Sequence, residues 1–147
     1  MSDYRQNVAA IVINQEGKIW VGERIDRMAW GFPQGGIDEG ESSEAALKRE
    51  LMEELSTSDF DFIARYPEKL RYDFPPDLEF STWTFKGQEQ DWYLVKLRPG
   101  AKLDISKHDE EFAQYLWCDL AELDYSQFGF KAGLYRTVLD YFKDKIK

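Results

Sequence analysis

Three glutamates carry the chemistry that this chain can do. Glu50, Glu53 and Glu54 stand at i, i+3 and i+4 within residues 43–55, a stretch free of Gly and Pro in which Leu47, Leu51 and Leu55 recur every four residues. At about 100° per residue the three carboxylates share an arc of about 100° beside the leucine ridge, which makes their location partly buried. Like charges so placed repel, more strongly where water is thin, and only Lys48 and Arg49 are close in sequence to offset them. A hard divalent cation removes that penalty. Mg²⁺ suits the set because it takes a few carboxylates, keeps several waters and completes its octahedron with substrate phosphate oxygens. Taken alone, residues 49–55 read as a solvated face, since glutamate-rich amphipathic helices are common.

The elements that must position these side chains follow from pattern. The helix is entered through a glycine-rich loop, Gly35-Gly36-Ile37-Asp38-Glu39-Gly40, itself preceded by Trp30-Gly31-Phe32-Pro33-Gln34. Large aromatics mixed with glycines and one proline suit a rigid, close approach of backbone to a site. Residues 8–13 and 18–24 read as strands flanking the turn Asn14-Gln15-Glu16-Gly17, with Gly17 where positive φ is needed. A loop is expected over residues 25–40.

Beyond the helix, residues 60–72 read as a strand broken near Pro67 and ended by Pro75-Pro76. Residues 82–85 and 91–97 are expected to form a hairpin across 86–90, Pro99-Gly100 a turn, residues 105–112 a polar loop and residues 115–118 a short strand. Leu134, Val138, Leu139 and Phe142 repeat at helical spacing, which predicts a helix over residues 131–145. Strands alternating with two long helices predict an α/β sandwich around a mixed sheet. No repeat, low-complexity tract or linker divides the 147 residues, so one domain over residues 1–147 is expected.

Composition narrows the class of partner. A net charge of −9 argues against broad binding along a nucleic-acid backbone, but leaves a small anionic ligand or the end of a nucleic acid. The 16% aromatic content is more than a core alone requires, so a minority of rings is available to stack on bases. One cysteine, Cys118, excludes an intrachain disulfide and fits a reducing compartment. With no signal-peptide pattern and no apolar run of membrane-spanning length, a cytoplasmic enzyme without a membrane partner is expected, for which a monomer suffices. Neither Cys118 nor the lone His108 has the neighbours for a nucleophilic triad or a zinc site.

The longer spacing decides the matter. Gly35, five residues, Glu41, seven residues, Arg49-Glu50, an aliphatic, one residue and Glu53-Glu54 is similar to the signature of the Nudix hydrolases. Six specified residues at about 7% each coincide by chance on the order of once in 10⁷ registers. Arg5-Gln6-Asn7-Val8, Trp30 to Ile37, Gly87-Gln88-Glu89-Gln90-Asp91-Trp92-Tyr93, Glu111-Phe112, Phe130-Lys131 and Tyr135-Arg136 extend the resemblance over nearly the whole chain. They resemble the branch of bacterial RNA pyrophosphohydrolases and dinucleoside polyphosphate hydrolases.

The resemblance implies the Nudix α/β/α sandwich, Mg²⁺ or Mn²⁺ as cofactor, and a nucleotide or an RNA 5′ end as substrate. The activity it implies is removal of pyrophosphate from triphosphorylated RNA, with a role in mRNA decay, or hydrolysis of compounds such as diadenosine tetraphosphate. By the same resemblance Glu50, Glu53, Glu54 and Glu111 are catalytic metal ligands, while Gly35, Gly36, Glu41 and Arg49 support them. Arg5 and Lys131 match positions near phosphates, Tyr72 and Phe130 match aromatics near a base, and Arg24 and Arg27 are weaker candidates for substrate contact. A water attacks phosphorus in line, and its general base is one of Glu50, Glu54 and Glu111, which the sequence does not rank.

Two departures carry expectations of their own. Ser56 and Thr57 stand where the family usually has glycine and an aliphatic residue; because a left-handed residue with a Cβ costs about 1 kcal/mol, a different helix exit is expected. Glu89 and Asp91 stand where relatives often place basic residues, so a weaker grip on RNA, and a relatively greater share for a free dinucleotide, is expected. The competing readings are a hydrolase of ADP-ribose or nucleoside triphosphates and a non-catalytic nucleotide sensor.

Overall fold

Two long strands with near-continuous buried runs build the centre of the sheet. In the computed structural model, which describes residues 4–26, 29–74, 86–107 and 111–146, β1 (Tyr4–Ile13) lies beside the last of the central strands, Gly87–Leu97. Between them in sequence come β2 (Ile19–Arg24), β3 (Trp30–Gly31), β4 (Gln34–Gly36), helix α1 (Ser43–Leu55), β5 (Phe60–Arg65) and β6 (Leu70–Asp73), so Gly87–Leu97 is β7. Strand β8 (Phe112–Cys118), two 3₁₀ segments and helix α2 (Ala132–Ile146) complete the order.

β1 and β7 run parallel in unbroken register from Tyr4 against Gly87 to Ile13 against Lys96. β5 and β6 pair antiparallel with β7, β4 pairs antiparallel with β1, and β8 and β3 flank β2. The mixed sheet is covered on both faces. Val8, Ala10, Val12, Tyr93 and Val95 meet Leu47, Leu51 and Leu55 of α1, while Ala9, Ile11, Trp92 and Leu94 meet Val138, Leu139 and Phe142 of α2. The predicted α/β/α sandwich is therefore the observed one. Leu51 is fully buried, so Leu51→Ala should cost about 2–5 kcal/mol.

Three local expectations are corrected. Residues 25–40 are not all loop, because Gln34, Gly35 and Gly36 hydrogen-bond along β1 as a short strand. Residues 86–90 are not a turn, since Gly87 to Gln90 pair with β1 on one side and β6 on the other; residues 82–85 and Pro75-Pro76 lie outside the described residues. Ser56 does not reroute the helix exit. It adopts the left-handed conformation itself, at φ 59° and ψ 37°, with its N–H donated to Met52 O. Its Oγ donates to Asp104 O at 2.8 Å and the Asp104 N–H donates to Leu55 O at 2.9 Å, a pair of bonds that offsets the strain. The Asn14 to Gly17 turn is as expected, with Gly17 at φ 75°.

Candidate active site

Helix α1 starts cleanly and is tied to the loop before it. Ser42 Oγ accepts from the Ala45 N–H, and the Ser43 and Tyr93 hydroxyls lie 2.5 Å apart, pinning the first turn to β7. One turn and a half later, Arg49 donates Nε to Glu41 Oε2 at 3.0 Å, and Nη2 to Glu41 Oε1 at 2.9 Å and to Gly36 O at 2.8 Å. Glu41 also accepts from the Asp38 N–H. These bonds hold the Glu41 carboxyl down to about 2, chiefly through Arg49, so the staple between loop and helix stays ionised at any working pH. Glu41 and Arg49 thus tie the glycine loop to helix α1.

The remaining Arg49 nitrogen faces the glutamate ridge. Nη1 lies 2.7 Å from Glu50 Oε1 and 3.6 Å from Glu53 Oε2. Glu54 is only 4% exposed, and its Oε2 is buried without a hydrogen-bond partner. Burial raises its proton affinity well above the usual carboxylate range, and Glu50, Glu111 and Glu53 raise it further; the Gln34 N–H, donated to Glu54, opposes them. Glu50 is raised as well, by burial first, with Arg49 pulling the other way.

A set of hard oxygen donors that strain against one another, with one buried acceptor unpaired, fits Mg²⁺ or Mn²⁺ in its chemistry. Among the described residues no three acidic, His or Cys side chains already converge as a coordination group, so side-chain rotation has to close the set. Glu111 is exposed at the foot of β8, near enough for its charge to act on Glu54.

Strand β4 separates this acidic side from a basic one. A Cβ on Gly35 would land on the Glu50 carboxyl group, and a Cβ on Gly36 would land on the Arg5 guanidinium. Only glycine at both positions lets the two side chains approach the strand from opposite faces. On the Arg5 side, Tyr72 and Gln88 lie level with Arg5 across three neighbouring strands. The Tyr72 ring stands 5.7 Å from Phe130, itself 50% exposed, and Lys131 Nζ sits 5.1 Å from the Tyr72 centroid and 5.9 Å from that of Phe130. Burial, reinforced by Arg24, lowers the Lys131 ammonium to about 8. Arg24 donates to the Asp26 carboxylate at 3.3–3.4 Å. Five of the six expected substrate-side residues therefore cluster; Arg27 lies outside the described residues.

Glu89 and Asp91 occupy a different face. They point to the α1 side of the sheet, where Glu89 pairs with Arg71 and Asp91 with Arg65 and Lys69. The acids are covered, at 15% and 5% side-chain exposure, beneath cations at 44–60%. They do not line the cleft, and the expected weakening of RNA binding loses its structural basis. Sequence reasoning also passed over Gln34, Gln88 and Gln90, which share the Arg5 face of the sheet; an amide's role depends on partners that pattern does not show. Cys118 is part-buried with its thiol raised, burial and Glu122 and Asp119 disfavouring the thiolate, and His108 lies outside the described residues. Two cavities of about 290 and 400 Å³ open at the far end of β1, around Gln15 and Arg98 and around Gly17 and Leu120, away from these charges.

Comparison with known proteins agrees with this construction. Residues 3–141 match the model of the NUDIX domain. RNA pyrophosphohydrolase of Helicobacter pylori (strain G27) is 43% identical over 95% of this chain and 94% of its own length. That of Nitratiruptor sp. is 41% identical over 95% and 94%. Among solved structures, the Escherichia coli dihydroneopterin triphosphate pyrophosphohydrolase superposes with a TM-score of 0.74 at 17% identity, covering 95% of this chain and 96% of its own. A Caenorhabditis elegans Ap4A hydrolase complex does so with 0.70 at 16%, covering 95% and 98%. Those structures share the fold. The chain belongs to the Nudix hydrolases, enzymes that cleave phosphoanhydride bonds and generally need a divalent metal ion.

Proposed function

We propose that this chain is a Mg²⁺-dependent pyrophosphohydrolase that removes pyrophosphate from the 5′-triphosphorylated end of RNA, with dinucleoside polyphosphates such as diadenosine tetraphosphate as its second substrate class. The observation that carries the reading is the juxtaposition, across the two glycines of β4, of a carboxylate set with Arg5, Tyr72, Phe130 and Lys131. A phosphate chain needs cations on its oxygens, and the nucleoside at its end needs a ring to stack on. The full-length likeness to proteins named RNA pyrophosphohydrolase supports RNA as the first choice.

In this reading Glu50, Glu53, Glu54 and Glu111 hold the metal, which when bound supplies positive charge to the phosphate oxygens during in-line attack by water. Arg5 and Lys131 grip the phosphates from the other side of β4, and Arg24 and Arg27 add to the positive field. Tyr72 and Phe130 take the base. Arg49 and Glu41 keep the loop in place, and the Gln34 N–H on Glu54 fixes that carboxylate's orientation. The proton of the attacking water goes to Glu50, Glu54 or Glu111. Among the described residues no helix is long and apolar enough to cross a membrane.

Product analysis tests the reading directly, with triphosphorylated RNA, diadenosine tetraphosphate and ADP-ribose offered side by side in Mg²⁺. Pyrophosphate or successive phosphate release from RNA is expected to be fastest. Preference for ADP-ribose would defeat it, and thermal stabilisation by Mg²⁺ plus nucleotide without any product would favour the sensor.

A further inference from the structure

A buried chain of amides runs from the core to the cleft, and its polarity is set at one end. Trp92 is fully buried, and its indole N–H can only donate; it donates to Gln90 Oε1 at 3.0 Å. That contact places the Gln90 amide nitrogen on the other side. There it donates to Asn7 Oδ1 at 2.8 Å and to Gln34 Oε1 at 2.6 Å. Gln90 is 0% exposed and Asn7 1%, so neither amide can turn over towards water.

The consequence falls on Gln34. Its oxygen is taken by Gln90, which leaves its NH₂ group as the end turned away from Gln90. Gln34 is half-buried, two residues before Gly36 and so on the same face of β4 as the Arg5 guanidinium. Its amide faces the Tyr72 hydroxyl, whose buried oxygen has no hydrogen bond of good geometry. A carboxamide that could have shown either end to the cleft is held with donors outward, beside a cation. We infer that the Gln34 NH₂ group donates to a phosphate oxygen of the substrate, and that Gln90, locked by Trp92, is the positioning residue that keeps it turned that way. Were Gln34 reversed, its NH₂ would oppose the Gln90 NH₂ and its carbonyl would oppose the phosphate, two unfavourable contacts at once.

The inference rests on a phosphate chain crossing this face, as the proposed function has it, yet its test needs no turnover. Binding of α,β-methylene ATP is measured by calorimetry with Mg²⁺, alongside thermal melting. Gln34→Met should weaken binding about tenfold and lower the melting temperature, because the buried Gln90 N–H loses an acceptor; Gln34→Glu, which keeps that acceptor but turns the donor into an anion, should weaken binding about a hundredfold. Gln90→Glu still accepts from Trp92 but has no N–H to give, so Gln34 reverses; binding should fall about tenfold, and adding Gln34→Met to it should cost nothing more.

Wild-type affinity in Gln34→Met, additive losses in the double variant, or no binding by the wild type would each overturn the inference. If Gln90→Glu does not fold, the two Gln34 variants decide it alone. A wild type that binds the analogue but leaves triphosphorylated RNA intact would defeat the RNA reading and leave this one standing.

Discussion

The two sides of β4 are built on opposite electrostatic terms. On the Gly35 side, acids are crowded until burial and mutual repulsion raise the proton affinity of Glu54 and Glu50, with Arg49 as the internal compensation. On the Gly36 side, Arg5, Arg24 and Lys131 gather around aromatic rings, and Lys131 is lowered for the mirror-image reason. Each side alone is costly; together they are complementary to a metal ion and to the anion that the ion accompanies. A strand two glycines wide keeps the halves close without letting them neutralise each other.

The sharpest way to break the comparison is to remove one charge from the acidic side. Glu54→Gln keeps size and should lower kcat about 10²–10³-fold in Mg²⁺, in a steady-state assay. It should also leave the metal-free protein at least as stable as the wild type, because a buried carboxylate with one oxygen unpaired is lost. Near-normal turnover would remove Glu54 from the metal set. Next in size, Gly35→Ala puts a methyl group where the Glu50 carboxyl stands. It should fold and lose about 10–100-fold in kcat, with metal affinity falling in parallel, because a ligand's orientation is what changes.

The basic side is sharpened by pH. Lys131 titrates near 8 in the fold, against an ordinary value of 10.5. Above about 8 its charge is lost, so KM for the anionic substrate should rise there, and Lys131→Met should abolish that rise while raising KM about tenfold below it. Stability moves the other way. Between about 8 and 10.5 the unfolded chain holds the extra proton, so the fold gains stability as pH rises through that window, and the Lys131→Met variant should not.

The smallest effect belongs to the end of α1. Ser56→Ala keeps the left-handed cost and loses the bond to Asp104, which should destabilise by about 1 kcal/mol in denaturant unfolding. Ser56→Gly relieves the strain but loses the same bond, and should be nearly neutral.

What the sequence showed, and what it did not, divides along the range of the interactions. The carboxylate ridge, the leucine ridge, α2 and the β1–β2 turn are local periodicities, and they stand where the pattern puts them. Tyr72, Phe130 and Lys131 could be grouped only through family resemblance, because their meeting depends on where β6 and the segment before α2 fall in space. The error at residues 86–90 has the same origin: Gly87 reads as a turn residue, yet it is there because a Cβ would strike the Tyr72 carbonyl oxygen of the neighbouring strand. Ser56 misled for a different reason. Its strain was judged without the Asp104 backbone, which lies 48 residues away. Glu89 and Asp91 were legible as acids but not as covered ones, since Arg65 and Arg71 reach them from β5 and β6 and Lys69 from the connection between those strands.

The parallel pairing of β1 with β7 has a consequence for how the molecule comes into being. Gln6 and Glu89, 83 positions apart in the chain, are bonded to each other, and parallel strands so far apart close late and slowly. A growing chain that ends before β7 can form α1 and its acidic ridge but has no partner strand to carry Gln88 and Gln90. The α1 carboxylates therefore precede β7 in the chain while Glu111, Phe130 and Lys131 follow it, so the two sides of the cleft meet only once that central strand is in place.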